Sequence, residues 1–212
     1  MGILMREVIK RGVLLSAAFI LSMLIFSGCT QVQELSVITD SAIKITDKGV
    51  VTSYLVDDFD KAYYDLAELE QMVMDEVNQY MNFGSSDGKS ISVEAVELLE
   101  ENSSKAMVAL KYDSVDLYKD FNGVELFYGT VAQANEAGYD LDITMTDGVS
   151  DGVTIGKDQI YDMGKQYILI VEDKVRIICP KKIQYISEGA VLESDGSVNA
   201  SQDGEYTYII MK

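Results

Sequence analysis

The amino-acid sequence predicts an α+β fold, in which an antiparallel sheet of hairpins packs on one main helix and the C-terminal part is rich in strands. One long segment, residues 65–81, has apolar residues at helical spacing, whereas most other apolar segments are short, alternate in period two and end in turn residues. Helices and hairpins are mixed along the chain, which argues against a parallel doubly wound sheet. A composition of 48% hydrophobic and 9% aromatic residues is typical of a chain that folds around a core.

The first 28 residues divide into a basic head, an apolar run and two small residues before a cysteine. These zones are Arg6, Lys10 and Arg11, then residues 13–26, then Ser27 and Gly28 before Cys29. This layout is typical of a signal peptide, and the apolar run is shorter than the roughly 20 residues that a transmembrane helix needs. An uncleaved anchor and plain secretion are the alternatives. We predict a signal peptide over 1–28, a tether over 29–40 and a single extracytoplasmic domain over 41–212, with a possible subdivision near residue 146.

The segment Phe26-Ser27-Gly28-Cys29 resembles the lipobox of bacterial lipoproteins. The resemblance implies cleavage after Gly28, attachment of diacylglycerol to Cys29 and retention of the protein at the outer face of the cell membrane. Two acyl chains suffice for stable anchoring, whereas one gives only reversible binding. Residues 48–77 are also similar to the N-terminal part of uncharacterised lipoproteins of clostridial-type Gram-positive bacteria. This second similarity implies kinship and compartment, without an activity.

The charge and the missing histidine exclude several classes of function. Without residues 1–28, the chain has 14 basic and 34 acidic residues and a net charge of −20, which repels nucleic acids and anionic lipid headgroups. The absence of histidine excludes Ser-His-Asp and Cys-His catalysis, as well as His-ligated zinc and haem. Carboxylate chemistry, Ser-Lys chemistry and calcium binding remain. If Cys29 is acylated, Cys179 has no intramolecular partner, and we interpret it as a small apolar residue at a strand end.

The first half of the domain contains the main helix and several hairpins. Residues 42–46 and 50–56 predict a hairpin with a turn at 47–49, and residues 91–99 and 106–112 predict a second antiparallel pair. The main helix should begin at Asp65, because Asp65 and Glu68 fit a capping box. Its apolar face consists of Leu66, Leu69, Val73, Val77 and Tyr80.

Two short helices and a strand complete this half. We predict a helix capped by Ser114 and ended at 122–123, a strand at 124–128, and a helix over 130–137 that ends at Gly138.

The second half, from about residue 140, is expected to be all β. Three glycines in an acidic stretch, Gly148, Gly152 and Gly156, indicate turns. Residues 167–171 and 175–178 predict the clearest hairpin in the chain, with Glu172-Asp173-Lys174 as its turn. Further strands are predicted at 183–186, 190–193 and 206–211.

Three segments could form functional sites, but each also has a structural explanation. The acidic cluster Asp57, Asp58, Asp60 and Asp65 could bind calcium, but a solvated loop that caps the helix is favoured. Residues 195–203 resemble part of a calcium loop, but Ala200 replaces its glycine and Tyr206 its glutamate, so a hairpin turn is favoured. Ser-x-x-Lys occurs at Ser41–Lys44 and Ser86–Lys89, in a predicted strand and a loop, where it lacks the helical context of penicillin-recognising enzymes.

These observations lead to the hypothesis of a lipid-anchored extracytoplasmic envelope protein that acts as a non-catalytic interaction or accessory module. Its expected contacts are the membrane, through diacylglyceryl-Cys29, and an unknown envelope protein, with no cofactor, metal or nucleic acid. The alternative is a lipoprotein that binds a peptide, sugar or cation, and a carboxylate-based hydrolase comes third. The 13 tyrosines and 6 phenylalanines could form a sugar-stacking platform, although their spacing matches core positions. A concave pocket lined by tyrosines would favour the ligand-binding protein, and a flat apolar patch the protein partner.

Overall fold

The computed structural model describes residues 38–83, 88–99, 102–148, 152–201 and 206–212, without the side chains of 102 and 103. The predicted signal peptide and lipobox, with Gly28 and Cys29, lie outside these residues, as does Ser86. All described residues belong to one compact unit. They form four helices and thirteen strands, which confirms the predicted α+β class. No helix in these ranges is long and apolar enough to cross a bilayer.

The elements alternate irregularly along the chain. The helices are α1 (Leu66–Phe83), α2 (Val115–Asn122), α3 (Val131–Glu136) and α4 (Lys157–Asp162). The strands are β1 (Ala42–Ile45), β2 (Val51–Asp58), β3 (Ile91–Leu99), β4 (Asn102–Tyr112), β5 (Leu126–Thr130), β6 (Met145–Asp147), β7 (Thr154–Ile155), β8 (Tyr167–Val171), β9 (Arg176–Ile178), β10 (Ile183–Ser187), β11 (Val191–Leu192), β12 (Val198–Asn199) and β13 (Thr207–Met211).

The strands form two sheets. The first has seven strands in the order β11-β12-β9-β1-β2-β4-β3, and the second has six in the order β5-β8-β13-β10-β6-β7. Neighbouring strands are antiparallel except β1 and β9, which are parallel. The first sheet therefore combines strands from both halves of the chain.

The predicted hairpins of the first half are confirmed. Strands β1 and β2 pair with Ile43 opposite Ser53, and β3 and β4 pair with a bulge after Val93. The turn between β1 and β2 depends on Gly49, whose φ of 75° lies in the left-handed region that glycine adopts without strain.

The prediction of a hairpin at 167–178 is wrong, because its two strands form but do not pair with each other. Strand β8 lies in the second sheet beside β5 and β13, whereas β9 lies in the first sheet beside β1 and β12. The polar residues between them form an anchored crossover. A Glu172 carboxylate oxygen accepts from the Glu125 amide at 2.6 Å, and an Asp173 carboxylate oxygen accepts from the Tyr118 hydroxyl. Both carboxylates are thus bound by residues outside this segment, and the chain here moves between sheets instead of turning back.

The prediction that the second half is all β is also wrong, because it contains α4. Helix α4 has only six residues, and only one of them, Ile160, is fully buried. A helix this short shows no apolar periodicity in the sequence. Gly156 precedes α4 as its N-cap, and the short strands β6 and β7 flank the other glycines. The strands predicted at 183–186, 190–193 and 206–211 are confirmed as β10, β11 and β13.

The main helix forms as predicted. An Asp65 carboxylate oxygen accepts from the amides of Ala67 and Glu68 at 2.9 and 3.0 Å, which satisfies donors that a helix N-terminus leaves unpaired. The helix packs against the core with Val77 fully buried and with Leu69 and Tyr80 partly buried.

The predicted ends of α2 are also present. The Ser114 hydroxyl accepts from the Leu117 amide at 3.3 Å, and Gly123 ends α2. Thr130 and Gln133 form a capping box at α3. The strand predicted at 124–128 is observed two residues later, as β5.

Two core clusters lie on opposite faces of the second sheet. The first contains side chains of both sheets with α1 and α2, and the second contains α3 and α4. Neighbouring residues of β8 alternate between them: Leu169 belongs to the first cluster, and Ile168 and Ile170 to the second. Burial on both faces explains why β8 has an uninterrupted apolar sequence. This rigid sheet supports the candidate site at its β5 edge.

Candidate functional site

One concave surface among the described residues is an open cleft with a volume of about 1020 Å³, which we call the aromatic cleft. It lies where α2, β5, the loop after α3 and the start of β13 meet. Its aromatic lining is Phe127, Tyr128, Tyr139, Tyr206 and Tyr208. Its charged lining is Asp116, Lys119, Glu125 and Asp140. The cleft is within the size range of binding sites for small molecules.

The end of α3 places the central tyrosine of the cleft. Gly138 has a φ of 89°, and the Tyr139 amide then donates to the Ala134 carbonyl at 3.1 Å. This left-handed residue ends the helix and turns the chain sharply. As a result, Tyr139 packs on Phe127 of β5, with ring centroids 5.0 Å apart and an interplanar angle of 52°.

A hydrogen-bond network connects three elements inside the cleft. One carboxylate oxygen of Glu125 accepts from Lys119 Nζ at 2.7 Å and from the Tyr139 hydroxyl at 2.5 Å. Lys119 comes from α2, Glu125 directly precedes β5, and Tyr139 follows α3. The network therefore fixes the relative positions of these elements at the site.

The network determines the ionisation of its members. Burial alone raises the pKa of Glu125, but the hydrogen bonds from Lys119 and Tyr139 and the lysine charge bring it below its ordinary value. The hydrogen bond to Glu125 raises the pKa of Lys119. Burial, together with the hydrogen bond to Glu125, raises the pKa of Tyr139. At neutral pH the cleft thus contains a carboxylate acceptor, an ammonium donor and a neutral phenol.

The remaining aromatic side chains form the walls. Tyr206 and Tyr208 meet edge to face with centroids 6.3 Å apart. Tyr128 stacks on Tyr167 at 5.3 Å, and burial raises the pKa of Tyr128 to about 12. Tyr128 and Tyr206 are partly exposed, so their rings can contact a ligand, whereas Tyr208 is buried.

Three of the four carboxylates in the predicted acidic cluster have structural partners. Asp65 caps α1, Asp60 pairs with Lys61 at 2.7 Å, and an Asp57 carboxylate oxygen accepts from the Asp58 amide at 2.7 Å. Within the described ranges, no group of three or more carboxylates or thiols is arranged to hold a metal ion.

The predicted turn near residue 195 is confirmed as the connection between β11 and β12. An Asp195 oxygen accepts from the amide and hydroxyl of Ser197, and these bonds, with Arg176 nearby, lower the pKa of Asp195. Arg176 pairs with Asp195 at 2.8 Å. This polar arrangement stabilises the hairpin.

The other sequence candidates also have structural explanations. The Ser41 hydroxyl bonds to the main chain of Val56 and so joins the start of β1 to β2, while Lys44 lies within β1. Cys179 directly follows β9 as a free thiol, and burial raises its pKa to about 12. These observations agree with the structural interpretation of Ser41 and Cys179.

Sequence reasoning did not identify the aromatic cleft. The spacing of the aromatic residues as a group matches core positions, and Lys119 and Glu125 have no recognisable spacing. The cleft residues lie in separate segments between residues 115 and 208, so no single local motif could indicate them.

No protein-family model, curated protein or solved structure matches this chain. The function must therefore be inferred from the residues and their geometry.

Proposed function

We propose that this protein is a lipid-anchored extracytoplasmic protein that binds a small polar ligand in the aromatic cleft. The location is supported by the signal-like residues 1–28 and by the resemblance of 26–29 to a lipobox. The binding role is supported by one observation above all: five aromatic side chains and a fixed hydrogen-bond network converge on one concave surface. This is the alternative hypothesis from the sequence analysis, and the cleft supports it over a purely accessory module.

The charges in the cleft favour a neutral or cationic ligand. Asp116, Glu125 and Asp140 contribute three carboxylates, whereas Lys119 is the only basic residue among the described residues of the lining and is already paired with Glu125. The net charge of −20 outside the predicted signal adds long-range repulsion of anions. Sugars and short basic peptides have the required chemistry, because both combine hydrogen-bonding groups with apolar faces that pack on aromatic rings.

The ionisation of Glu125 favours binding over hydrolysis. A carboxylic acid that protonates a leaving group near neutral pH needs a raised pKa, but the pKa of Glu125 is lowered. A Glu125 that is charged at neutral pH serves better as an acceptor for ligand hydroxyl or ammonium groups.

A ligand panel tests the binding role. Isothermal titration calorimetry with neutral, cationic and anionic saccharides and peptides should detect binding of neutral or cationic members only. Phe127→Leu and Tyr139→Phe should weaken that binding about tenfold, equivalent to about 1.4 kcal/mol. Tyr161→Ala is the matched control, since Tyr161 is 40% exposed and does not line the cleft. Binding restricted to anions, or unaffected by the two cleft variants, would contradict the proposal.

The location needs a separate measurement. Mass spectrometry of the native protein extracted with detergent should show an N-terminus at Cys29 that carries a diacylglyceryl group. A chain that begins at Met1 with unmodified Cys29 would refute the lipoprotein proposal and leave the ligand panel unaffected.

A further inference from the structure

A second surface, which we call the apolar groove, lies between the first turns of α1 and strands β2 and β4. It has a volume of about 450 Å³. Its main apolar side chains are Leu55, Phe59, Tyr63, Leu69, Met72 and Val108. Leu55 and Val108 are register partners and therefore lie side by side on the sheet. The groove contains none of the residues of the aromatic cleft.

Three large apolar side chains of the groove are exposed to solvent. Tyr63 is 76% exposed, Met72 63% and Leu55 50%. Their neighbours hold the aromatic part in place, because Phe59 stacks on Tyr64 at 5.0 Å and Tyr63 meets Tyr64 edge to face at 4.9 Å. Large contiguous apolar surfaces on soluble proteins generally mark interaction sites, and methionine and tyrosine adapt well to a partner.

The charged residues that line the groove are all acidic, and Lys61, whose charge acts on Tyr64 of the groove, is paired with Asp60. Asp57, Asp58, Asp65 and Glu68 line it, and no lysine or arginine does. Asp57 and Leu55 are two residues apart on β2, so both lie on the same face of the sheet. Within the described part of the chain, none of these four carboxylates forms an ion pair. The groove therefore presents an apolar floor with an acidic border.

We propose that the apolar groove binds a segment of a protein partner that carries apolar side chains flanked by lysine or arginine. Charge complementarity distinguishes this occupant from three others. A second copy would bring another acidic border, and an anionic lipid surface would be repelled. The preceding segment 29–40 contains Glu34 and Asp40 but no basic residue. A basic, amphipathic partner segment complements both the apolar floor and the acidic border of the groove.

Matched peptides test the charge requirement. The mature protein is held in phosphatidylcholine nanodiscs and titrated with a short amphipathic peptide that has leucine and phenylalanine anchors flanked by lysine. A second peptide replaces each lysine with glutamate. The lysine peptide should bind at least about tenfold more tightly, and raising the salt concentration should reduce this difference. Equal affinity of the two peptides, or a difference insensitive to salt, would overturn the proposal.

Surface variants test the location. Tyr63→Ala and Met72→Ala should each weaken binding of the lysine peptide about tenfold. The free energy of unfolding should remain unchanged, because both side chains are mostly exposed. Phe83→Ala is the matched control at the far end of α1, where Phe83 is 87% exposed and outside the groove. An equal loss in Phe83→Ala, or none in Tyr63→Ala, would overturn the proposal.

Crosslinking in cells identifies the occupant. A photoreactive amino acid at position 63 should react with a protein segment that contains lysine or arginine beside apolar residues, identified by mass spectrometry of the crosslinked peptide. The same group at position 161 is the control. Crosslinks to lipid, to a second copy or to residues 29–40 would overturn the proposal.

Discussion

Replacing Glu125 by glutamine should destabilise the fold by about 1 kcal/mol at pH 7. The carboxylate accepts from Tyr139 and from Lys119, and its side chain is 22% exposed against 42% for Lys119. A partly buried hydrogen bond to a charged acceptor contributes about 1.5 kcal/mol, and a half-exposed ion pair about 0.5 kcal/mol. Glutamine keeps one acceptor oxygen, which recovers about half of this sum. In a domain of this size the loss lowers Tm by about 2–4 °C.

The pH dependence of this loss distinguishes the charge from simple packing. The pKa of Glu125 is lower in the folded protein than its ordinary value. The stabilisation from its charge is therefore complete above the unfolded pKa, near 4.3, and disappears as the pH falls through the folded pKa. Glu125→Gln should consequently differ from the wild-type protein at pH 7 and approach it at strongly acidic pH.

Urea unfolding at several pH values measures this difference. Glu97→Gln serves as the control, because Glu97 is exposed on β3, and it should change the free energy of unfolding by less than about 0.5 kcal/mol at every pH. A Glu125→Gln loss that is constant with pH, or that grows as the pH falls, would refute the assignment of Glu125 as a charged acceptor.

Three further outcomes test the fold. Gly189→Ala should lower the free energy of unfolding by at least about 1 kcal/mol more than Gly196→Ala, as measured by urea unfolding. Both glycines have left-handed φ (79° and 83°), but an added Cβ at Gly189 would lie 2.4 Å from the Ser201 hydroxyl, whereas Gly196 has open space. Equal losses in the two variants would contradict this. Cys179, with its pKa raised to about 12, should react with iodoacetamide at pH 8 at least about a hundredfold more slowly in the folded than in the unfolded protein. Ile177→Ala should cost about 2–5 kcal/mol, since Ile177 is fully buried in β9; a loss below 1 kcal/mol would contradict its placement between neighbouring strands.

The parts of the fold that depend on local chemistry could be predicted. The Asp65 cap, the Ser114 cap and the glycine after α2 act within a few residues, so their signals are contiguous in the sequence. The hairpin of β1 and β2 was predictable for the same reason, because its turn and its alternating strands are adjacent.

The parts that depend on distant partners could not be predicted. The segment Glu172-Asp173-Lys174 has the composition of a turn, but its two carboxylates accept hydrogen bonds from Glu125 and Tyr118, about 50 residues earlier. The apolar pattern of β8 and β9 shows that strands form and does not show which sheet each strand joins.

The aromatic cleft was hidden for a related reason. Phe127 and Tyr139 occupy positions that local patterns assign to a core, and only the tertiary arrangement leaves them partly exposed on one concave surface. Aromatic side chains in a core and in a binding site follow the same spacing in a strand or helix, so the sequence alone favours the commoner structural role.

The central place of β1 has a mechanical consequence. This strand follows directly on the predicted tether and is hydrogen-bonded on both sides, to β2 and to β9. Tension from a moored N-terminus would run along β1 and would be resisted by two ladders at once, in shear. An edge strand would instead separate one bond at a time, so a pull applied at the N-terminal end of β1 would meet more resistance than a pull on an edge strand.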